Sequence, residues 1–199
     1  DRLYTMAAAS RERRAAQTVL YEVLYALVRL MAPILAFTSE EIWRYIPGEQ
    51  KPISVQLTSM PQVIDEYIDE ELEEKWERLL AVRSEVTKAL EEARREKVIG
   101  NSLEAAVELY AGQDLYDFLR PSASELATIF IVSQASLHTF AEAPSEVKST
   151  EAMPDLAVLV KPAAGKKCER CWMYNEKVGE NPAHPTICPR CASVIEIGR

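Results

Sequence analysis

The sequence lacks the features that mark a membrane or secreted protein. No apolar run approaches the roughly 20 residues that a membrane helix needs. The first residues, Asp-Arg-Leu-Tyr-Thr, have neither the basic lead nor the apolar middle of a signal peptide. The chain also starts without Met, and we therefore expect it to be a fragment of a longer protein.

Positive charge is also scarce, since the formal net charge is −8. An acidic chain is not an obvious nucleic-acid binder. The charge is uneven, however. From Asp65 to Lys97 there are 12 acidic and 7 basic residues, whereas Lys161 to Arg199 holds 7 basic and 4 acidic ones. With one Zn²⁺ bound by four thiolates, the C-terminal segment would keep a charge of about +1. The C-terminal end is therefore the least repulsive part of the chain for a phosphate backbone, although it is not strongly basic.

Helical periodicity dominates the first hundred residues. Apolar residues recur at steps of three and four between Ser10 and Met31, with Ser10 as N-cap and Pro33 ending the helix. Thr38 and Glu41 predict a capping box for a second, short helix. A long helix is predicted from about 65 to 98, with acidic first turns, basic last turns and a stop at Gly100-Asn101. Residues 53–57 alternate like a short strand or an extended loop.

After Gly100 the pattern changes to that of a small α/β unit. Strands are predicted within 103–111, 128–137 and 156–160, with a helix interrupted at Pro121 between the first two and a loop at 144–153. The predicted fold class is thus mostly α, with a helical part, a small α/β subdomain and a zinc module. The predicted bounds of these three domains are 1–100, 101–162 and 163–199.

All four cysteines lie in the last 32 residues, as two Cys-x-x-Cys pairs separated by 16 residues. Cys168, Cys171, Cys188 and Cys191 are the number and type of ligands that a closed tetrahedral zinc site needs, and a closed site is structural rather than catalytic. Redox-active or free thiols are the alternative, but they explain neither the duplication nor the spacing. His184 is a rival ligand that four cysteines make unnecessary.

Cations and aromatic residues crowd around these cysteines. Lys167, Arg170, Trp172 and Arg190 are the strongest candidates for contact with RNA, because cations suit phosphates and aromatic rings suit unstacked bases. Two other interpretations stay open. The metal serves only to fold a segment with little core of its own, or Trp172 packs over the zinc site.

Longer stretches resemble a known family. The C-terminal zinc finger of bacterial isoleucyl-tRNA synthetases is similar to three stretches of this chain: Lys167-Cys-Glu-Arg-Cys-Trp172, His184-Pro185 and Cys188-Pro-Arg-Cys191. Ala32-Pro-Ile-Leu-Ala-Phe-Thr38 and Glu40-Glu-Ile-Trp43 are similar to their anticodon-binding bundle. The match runs in order over nearly the whole chain, also including Asp1-Arg-Leu-Tyr-Thr, Arg13-Arg14-Ala-Ala-Gln17-Thr, Arg83-Ser-Glu-Val-Thr-Lys88-Ala-Leu-Glu and Ile99-Gly-Asn-Ser-Leu-Glu-Ala.

The resemblance implies a role in binding tRNA. The family joins isoleucine to its tRNA with ATP, in a catalytic domain that carries His-Ile-Gly-His and Lys-Met-Ser-Lys-Ser signatures, and a separate domain edits misloaded valine. Neither signature occurs in this chain, so the resemblance implies no catalytic residue here and no activity of the chain alone. It implies instead a cytoplasmic, monomeric protein whose helical bundle, of the class I synthetase anticodon-binding type, holds the anticodon stem-loop of isoleucine tRNA. Arg11, Arg14 and Gln17 are the candidate contacts of that bundle, with a solvated helix face as the alternative.

Three other functions are weighed against this one. A formamidopyrimidine-type DNA glycosylase ends in a very similar zinc finger, but it begins with a catalytic Pro and an acidic residue, which this chain lacks. The valine, leucine and methionine enzymes of the same class share the bundle, whereas the terminal four-cysteine finger favours isoleucine. A protein-interaction module with a purely structural zinc tail is the third.

Overall fold

The computed structural model describes residues 2–48, 51–145 and 147–197. The chain forms two compact units, Asp1–Ile68 with Ile197–Arg199, and Asp69–Glu196. The expected fold class is confirmed, because helices precede a small mixed sheet and a C-terminal four-cysteine cluster. The three-part domain division stays a prediction. Asp1 and residue 146 of the expected 144–153 loop lie outside the described residues.

Helices make up the first unit. Ser10 caps α2 (Arg11–Met31) as predicted, since its side chain accepts a hydrogen bond from the Arg13 N–H at 3.2 Å. α2 ends two residues before Pro33, also as predicted. The helices of this unit are α1 (Arg2–Thr5), α2 (Arg11–Met31) and α3 (Ala36–Tyr45), followed by 3₁₀ turns at Val55–Leu57 and Asp65–Tyr67.

A small core around Trp43 joins α2, α3 and the 3₁₀ turn at Val55–Leu57. The ring is buried, and its Nε1–H donates to the Pro52 carbonyl at 2.9 Å. Around it pack Val28, Ala32, Ile46 and Val55.

Two local predictions for the first unit are wrong. The capping box at Thr38 and Glu41 does not form, because α3 already begins at Ala36 and Thr38 lies inside it. Residues 53–57 contain no strand. Val55–Leu57 is a 3₁₀ turn that begins where the Ser54 hydroxyl accepts from the Gln56 N–H at 3.2 Å. Side chains that bond nearby backbone groups favour such turns over strands.

The apolar stripe of α2 is largely exposed among the described residues. Val19 is 61% exposed and Val23 is 56% exposed, and Val28 is the α2 residue that is buried. An apolar helix face of this size usually marks a contact surface.

The long helix α4 spans Glu70–Arg95, which is shorter than the predicted 65–98. Asp69 caps its start by accepting from the Leu72 N–H at 3.0 Å. The helix ends before the predicted Gly100-Asn101, because Lys97 already adopts a left-handed conformation with φ of 62°. The acidic first turn and basic last turn suit the helix dipole, as predicted.

Three strands form a mixed sheet. The central strand β1 (Ala105–Ala111) lies between β2 (Gln134–Thr139), to which it is parallel, and β3 (Leu156–Pro162), to which it is antiparallel. β1 is connected to β2 through α5 (Gln113–Leu119), a 3₁₀ turn containing Pro121 and α6 (Leu126–Phe130). The interruption at Pro121 was predicted, and so were strands at β1 and β3.

The strand predicted at 128–137 is wrong over its first half. Its β-branched residues Thr128 and Ile129 belong to α6, which ends where Ile131 adopts a left-handed conformation with φ of 59°. Tertiary packing outweighs strand propensity here, because α6 buries Leu126 and Phe130 in the core.

α4 packs on the sheet and completes its core. The buried residues of α4 meet the inward side chains of β1, Val107 and Leu109. The α4 residues in this core are Leu79, Val82, Val86, Leu90 and Ala93.

The C-terminal segment holds a two-stranded hairpin and a final helix. These are β4 (Lys166–Lys167), β5 (Tyr174–Asn175) and α7 (Pro189–Ile197). Within the described residues, none of the helices combines the length and apolar character that crossing a bilayer requires.

Candidate metal centre and nucleic-acid interface

The first cysteine pair lies in the turn between β4 and β5. Cys168 follows β4 directly, and its N–H donates to the Met173 carbonyl at 2.9 Å. The Trp172 N–H donates back to the Cys168 carbonyl at 2.8 Å. These two hydrogen bonds close a tight turn that holds the side chains of Cys168 and Cys171 on the same side of the hairpin.

The second pair lies at the start of α7. Cys188 directly precedes the helix and Cys191 lies in its first turn. Pro189 is well suited to the first helical position, because its fixed φ fits a helix and its missing N–H has no partner there. The positive end of the helix dipole favours thiolates at this place.

The four sulfur atoms form one cluster. All Sγ atoms of Cys168, Cys171, Cys188 and Cys191 lie within 4.8 Å of one another, and Cys171 and Cys188 are 3.9 Å apart. Four zinc–sulfur bonds of about 2.3 Å in a regular tetrahedron place sulfurs about 3.8 Å apart. The cysteines are free thiols, not disulfides. The donor set and its spacing therefore fit Zn²⁺.

Cys168, Cys188 and Cys191 are buried, and Cys171 is half-buried. Burial raises the pKa of the Cys171 thiol, and the neighbouring cysteine sulfurs add to this increase. Burial also acts to raise the pKa of Cys168, but N–H donors from the backbone outweigh it, so that pKa falls below the ordinary value. Binding of a divalent cation would remove the repulsion and release the remaining protons.

His184 is not part of the cluster. Among the described residues, the group of ligand atoms close enough to share a metal consists of the four cysteine sulfurs. The backbone N–H of His184 donates to the Asn181 carbonyl at 3.0 Å in the loop between the pairs.

Two residues that anchor the hairpin were missed in the sequence. The Ser133 hydroxyl accepts from the Tyr174 N–H at 2.7 Å and donates to the Leu103 carbonyl, which ties β5 to the α/β core. Gly165 has φ of +91°, and a Cβ there would lie 2.3 Å from the Asn175 carbonyl carbon. Of these two residues, only Gly165 could have been found from the sequence, because a glycine stands directly before Lys166-Lys167.

Trp172 and Lys167 form an exposed pair beside the cluster. Trp172 is 60% exposed, and the Lys167 ammonium lies 5.5 Å from the centre of its ring. Trp172 also has φ of 65°, a conformation that costs a bulky residue free energy and that glycine would adopt more easily. More than half of the indole is therefore open to solvent.

Arg170 and Arg190 lie differently from this pair, because both contact sulfur. Arg170 Nη1 donates to Cys191 Sγ at 3.6 Å. Arg190 Nη2 donates to Met173 Sδ at 3.7 Å. Burial acts to lower the pKa of Arg190, but the nearby Cys171 sulfur outweighs it and raises that pKa.

Comparison with known families identifies the first part of the chain. Residues 1–109, more than half of its length, match the model of the anticodon-binding domain of tRNA ligase. This chain belongs to that family. Residues 165–194 match a second model, the zinc finger found in FPG and IleRS, which together with the sulfur cluster supports one structural zinc ion.

Close relatives of this anticodon-binding family member confirm the resemblance expected from its sequence. It is 58% identical over 198 residues to an isoleucine–tRNA ligase of Moorella thermoacetica and 55% identical to one of Desulforamulus reducens. Each alignment covers 98% of this chain and 21% of the relative. The chain thus spans about a fifth of the length of these curated relatives. Both relatives are isoleucine–tRNA ligases, and neither is a DNA glycosylase.

The candidate contacts of the helical part lie within the match to the anticodon-binding domain. Arg11, Arg14 and Gln17 are all exposed on the first half of α2, three residues apart. Residues at this spacing lie on neighbouring positions of a helix surface. They belong to the first compact unit, and the cysteine cluster belongs to the second.

Proposed function

We propose that this chain is the tRNA-recognition end of an isoleucine–tRNA ligase and binds the anticodon stem-loop of isoleucine tRNA. In this proposal the chain positions the tRNA, and the rest of the longer enzyme binds ATP, joins isoleucine to the tRNA and edits errors. The observation that carries the proposal is the exposed Trp172–Lys167 pair, held beside a rigid sulfur cluster in a chain of the anticodon-binding family.

The zinc ligands in this proposal are Cys168, Cys171, Cys188 and Cys191. The 3.9 Å separation of two sulfurs supports this assignment, as does the closed set of four thiols. The metal would have a structural role, because four protein ligands leave no position for a substrate. Its function would be to fix the backbone turn that presents Trp172.

The RNA-facing surface of the zinc module would consist of Lys167, Arg170, Trp172 and Arg190. Trp172 and Lys167 are the principal contacts, since an exposed indole can stack on an unpaired base while the ammonium meets a phosphate. The arginine guanidinium groups are already engaged with sulfur. Arg11, Arg14 and Gln17 would contact the stem, where phosphates of a duplex are accessible.

The remaining partners are the catalytic and editing domains of the same polypeptide. The exposed apolar stripe of α2 supports a covering segment, and we assign that role to the preceding part of the longer enzyme. The enzyme would act as a cytoplasmic monomer.

Binding of purified tRNA tests the proposal. Fluorescence anisotropy would compare isoleucine tRNA with valine tRNA on this chain, for wild type and Trp172→Ala. The matched control is Trp76→Ala, which removes a partly exposed indole of α4 outside the zinc module. Loss of one base-stacking contact costs about 1–3 kcal/mol, which is roughly 5- to 150-fold in the dissociation constant.

Three outcomes are expected. Isoleucine tRNA binds more tightly than valine tRNA, Trp172→Ala weakens binding and Trp76→Ala does not. Affinity should also fall steeply as salt is added, because phosphate contacts release counterions. Equal binding of the two tRNAs, or equal effects of the two tryptophan variants, would contradict the proposal.

A further inference from the structure

The two cysteine pairs share a third residue. The first pair reads Cys168-Glu-Arg170-Cys171 and the second reads Cys188-Pro-Arg190-Cys191. An arginine thus directly precedes the second cysteine in each pair. The backbones that carry them differ, because the first pair lies in a hairpin turn and the second opens a helix. Local backbone geometry therefore does not explain why both positions carry arginine.

The contacts of these arginines cross between the pairs. Arg170, from the first pair, donates through Nη1 to Cys191 Sγ of the second at 3.6 Å. Arg190, from the second pair, donates through Nη2 to Met173 Sδ at 3.7 Å, in the turn of the first pair. Burial acts to lower the pKa of Arg190, but the nearby Cys171 sulfur outweighs it and raises that pKa. Each guanidinium therefore lies against the opposite pair.

Backbone N–H groups donate to the sulfurs of Cys168 and Cys171, with the Met173 N–H as the donor to Cys171. The Cys188 N–H donates to Cys168 Sγ at 3.3 Å, and the backbone N–H groups of Cys171 and Arg170 also bond that sulfur. Cys191 is fully buried, and its side-chain donor is Arg170. The crossed arginines therefore place positive charge beside the second cysteine of each pair, and Arg170 also donates a hydrogen bond to Cys191.

A four-thiolate zinc centre needs such donors. Zn²⁺ with four thiolates carries a net charge of −2, and burying that charge without compensation is unfavourable. Two guanidinium groups bring the local charge close to zero. Arginine suits this role because it stays charged and is weakly hydrated. Partners that bond metal ligands typically change metal affinity 10- to 100-fold.

We propose that Arg170 and Arg190 are a reciprocal pair of positioning residues, in which each arginine belongs to one cysteine pair and contacts the other. Together they neutralise the charge of the zinc–thiolate centre and hold its two cysteine pairs together. This proposal rests on the zinc ligands assigned above. It gives the two arginines a role in metal retention, and it leaves Lys167 and Trp172 as the principal RNA contacts of the module.

Zinc competition tests the pair directly. The full chain would be prepared as wild type, Arg170→Gln, Arg190→Gln and the double variant, and zinc transfer to a chromogenic chelator would be followed. Each single variant is expected to weaken zinc binding about 10- to 100-fold. The matched control is Lys177→Gln, which removes one positive charge from an exposed residue of the same module. It should leave zinc affinity at the wild-type value.

Two further measurements separate neutralisation from general support of the fold. Arg170→Lys and Arg190→Lys keep the charge but lose the planar fork, so they should restore part of the affinity. In the cobalt-substituted chain, the sulfur-to-metal charge-transfer band should shift in the glutamine variants, because a thiolate that loses a hydrogen bond becomes a stronger electron donor. Lys177→Gln should leave that band unmoved.

The outcomes distinguish this inference from the proposed function. Wild type without one tightly bound zinc would refute the ligand assignment. Wild type with zinc, but with glutamine variants that match Lys177→Gln in affinity and cobalt spectrum, would refute only the arginine pair. Loss of tRNA binding by zinc-saturated Arg190→Gln, with unchanged zinc affinity, would also overturn it and assign that arginine to RNA.

Discussion

The α/β core and the zinc module lie in the same compact unit, but different forces hold them together. Among the described residues, sixteen buried apolar side chains from α4, the sheet and its connecting helices form the α/β core. The zinc module buries six residues, and three of them are the candidate ligands Cys168, Cys188 and Cys191. Burying one Leu or Val contributes about 1.5–3 kcal/mol. The α/β core can therefore fold by apolar burial, whereas the module depends on its metal.

Removal of one candidate zinc ligand should have the largest effect, and that effect should be confined to the zinc module. Cys188→Ser should abolish tight zinc binding, since structural zinc contributes about 10–16 kcal/mol of apparent binding free energy in small metal-dependent folds. Residues 166–197 should lose amide protection in hydrogen exchange, and β1 should keep it. Chelator treatment of the wild type should give the same pattern.

The same experiment contains its own control. Ser193→Ala changes an exposed hydroxyl of α7 that donates to the Arg190 carbonyl and should leave zinc binding intact. Equal loss of protection in β1 and in the module after chelation would show that the two regions fold as one.

A change in the α/β core should have the opposite pattern. Leu109 is fully buried in the central strand, and Leu109→Ala should cost about 2–5 kcal/mol of unfolding free energy. Urea unfolding followed by circular dichroism measures the loss. Zinc stoichiometry below the transition should stay at one. Release of zinc in this variant without denaturant would contradict the independence of the two regions.

Gly165→Ala should affect the hairpin that connects the two regions. Left-handed backbone costs a non-glycine residue roughly 1–2 kcal/mol, and overpacking typically adds about 1–3 kcal/mol. The new Cβ would meet the Asn175 backbone at 2.3 Å, and backbone cannot move aside cheaply. We expect weaker zinc binding in competition with a chelator.

Gly179→Ala separates the two causes. Gly179 also has a positive φ, +101°, but its Cβ would lie 3.5 Å from the nearest atom, an ordinary contact. It should therefore cost less than Gly165→Ala. Equal effects of the two variants would mean that steric overlap at Asn175 contributes nothing.

The smallest expected effect concerns the outer face of the sheet. Lys161 Nζ lies 3.0 Å from both carboxylate oxygens of Glu108, and the Tyr110 hydroxyl donates to Glu108 at 2.8 Å. Partial burial acts to raise the pKa of Glu108, but these hydrogen bonds outweigh it and hold that pKa below its ordinary 4.5. The pair is partly exposed, so it contributes at most about 0.2–1 kcal/mol.

The sign of the pH dependence follows from the lowered pKa. Glu108 stabilises the fold above the pKa of the unfolded chain, and the contribution is lost as pH falls through the folded-state pKa. Urea midpoints of wild type and Glu108→Gln should therefore differ at neutral pH and converge in acid. Glu176→Gln, at an exposed residue of the zinc module, is the control. A gap that widens in acid would contradict the assignment.

The sequence predictions were correct where the structure depends on residues close together in the chain, and wrong where it depends on tertiary packing. The start of α2 at Ser10 and the strands β1 and β3 were predicted, because capping and apolar periodicity are local. The prediction that Thr38 caps a helix was wrong, because α3 already starts at Ala36 and the Thr38–Glu41 motif does not set that start. Thr128 and Ile129 failed as strand residues because α6 has to bury Leu126 and Phe130. The spacing of the cysteines was enough to name the four candidate zinc ligands, but it gave no sign of the crossed arginine contacts.

The sequence by itself determined the thiol pairs, the helical stripes and the family to which the chain belongs, because each depends on residues a few positions apart or on motif order. Tertiary structure alone decided that four sulfurs lie within 4.8 Å, that Arg170 and Arg190 reach across to the opposite pair, and that α4 packs on the sheet. These contacts join residues far apart along the chain. Their formation depends on the packing of whole elements, which no local spacing specifies.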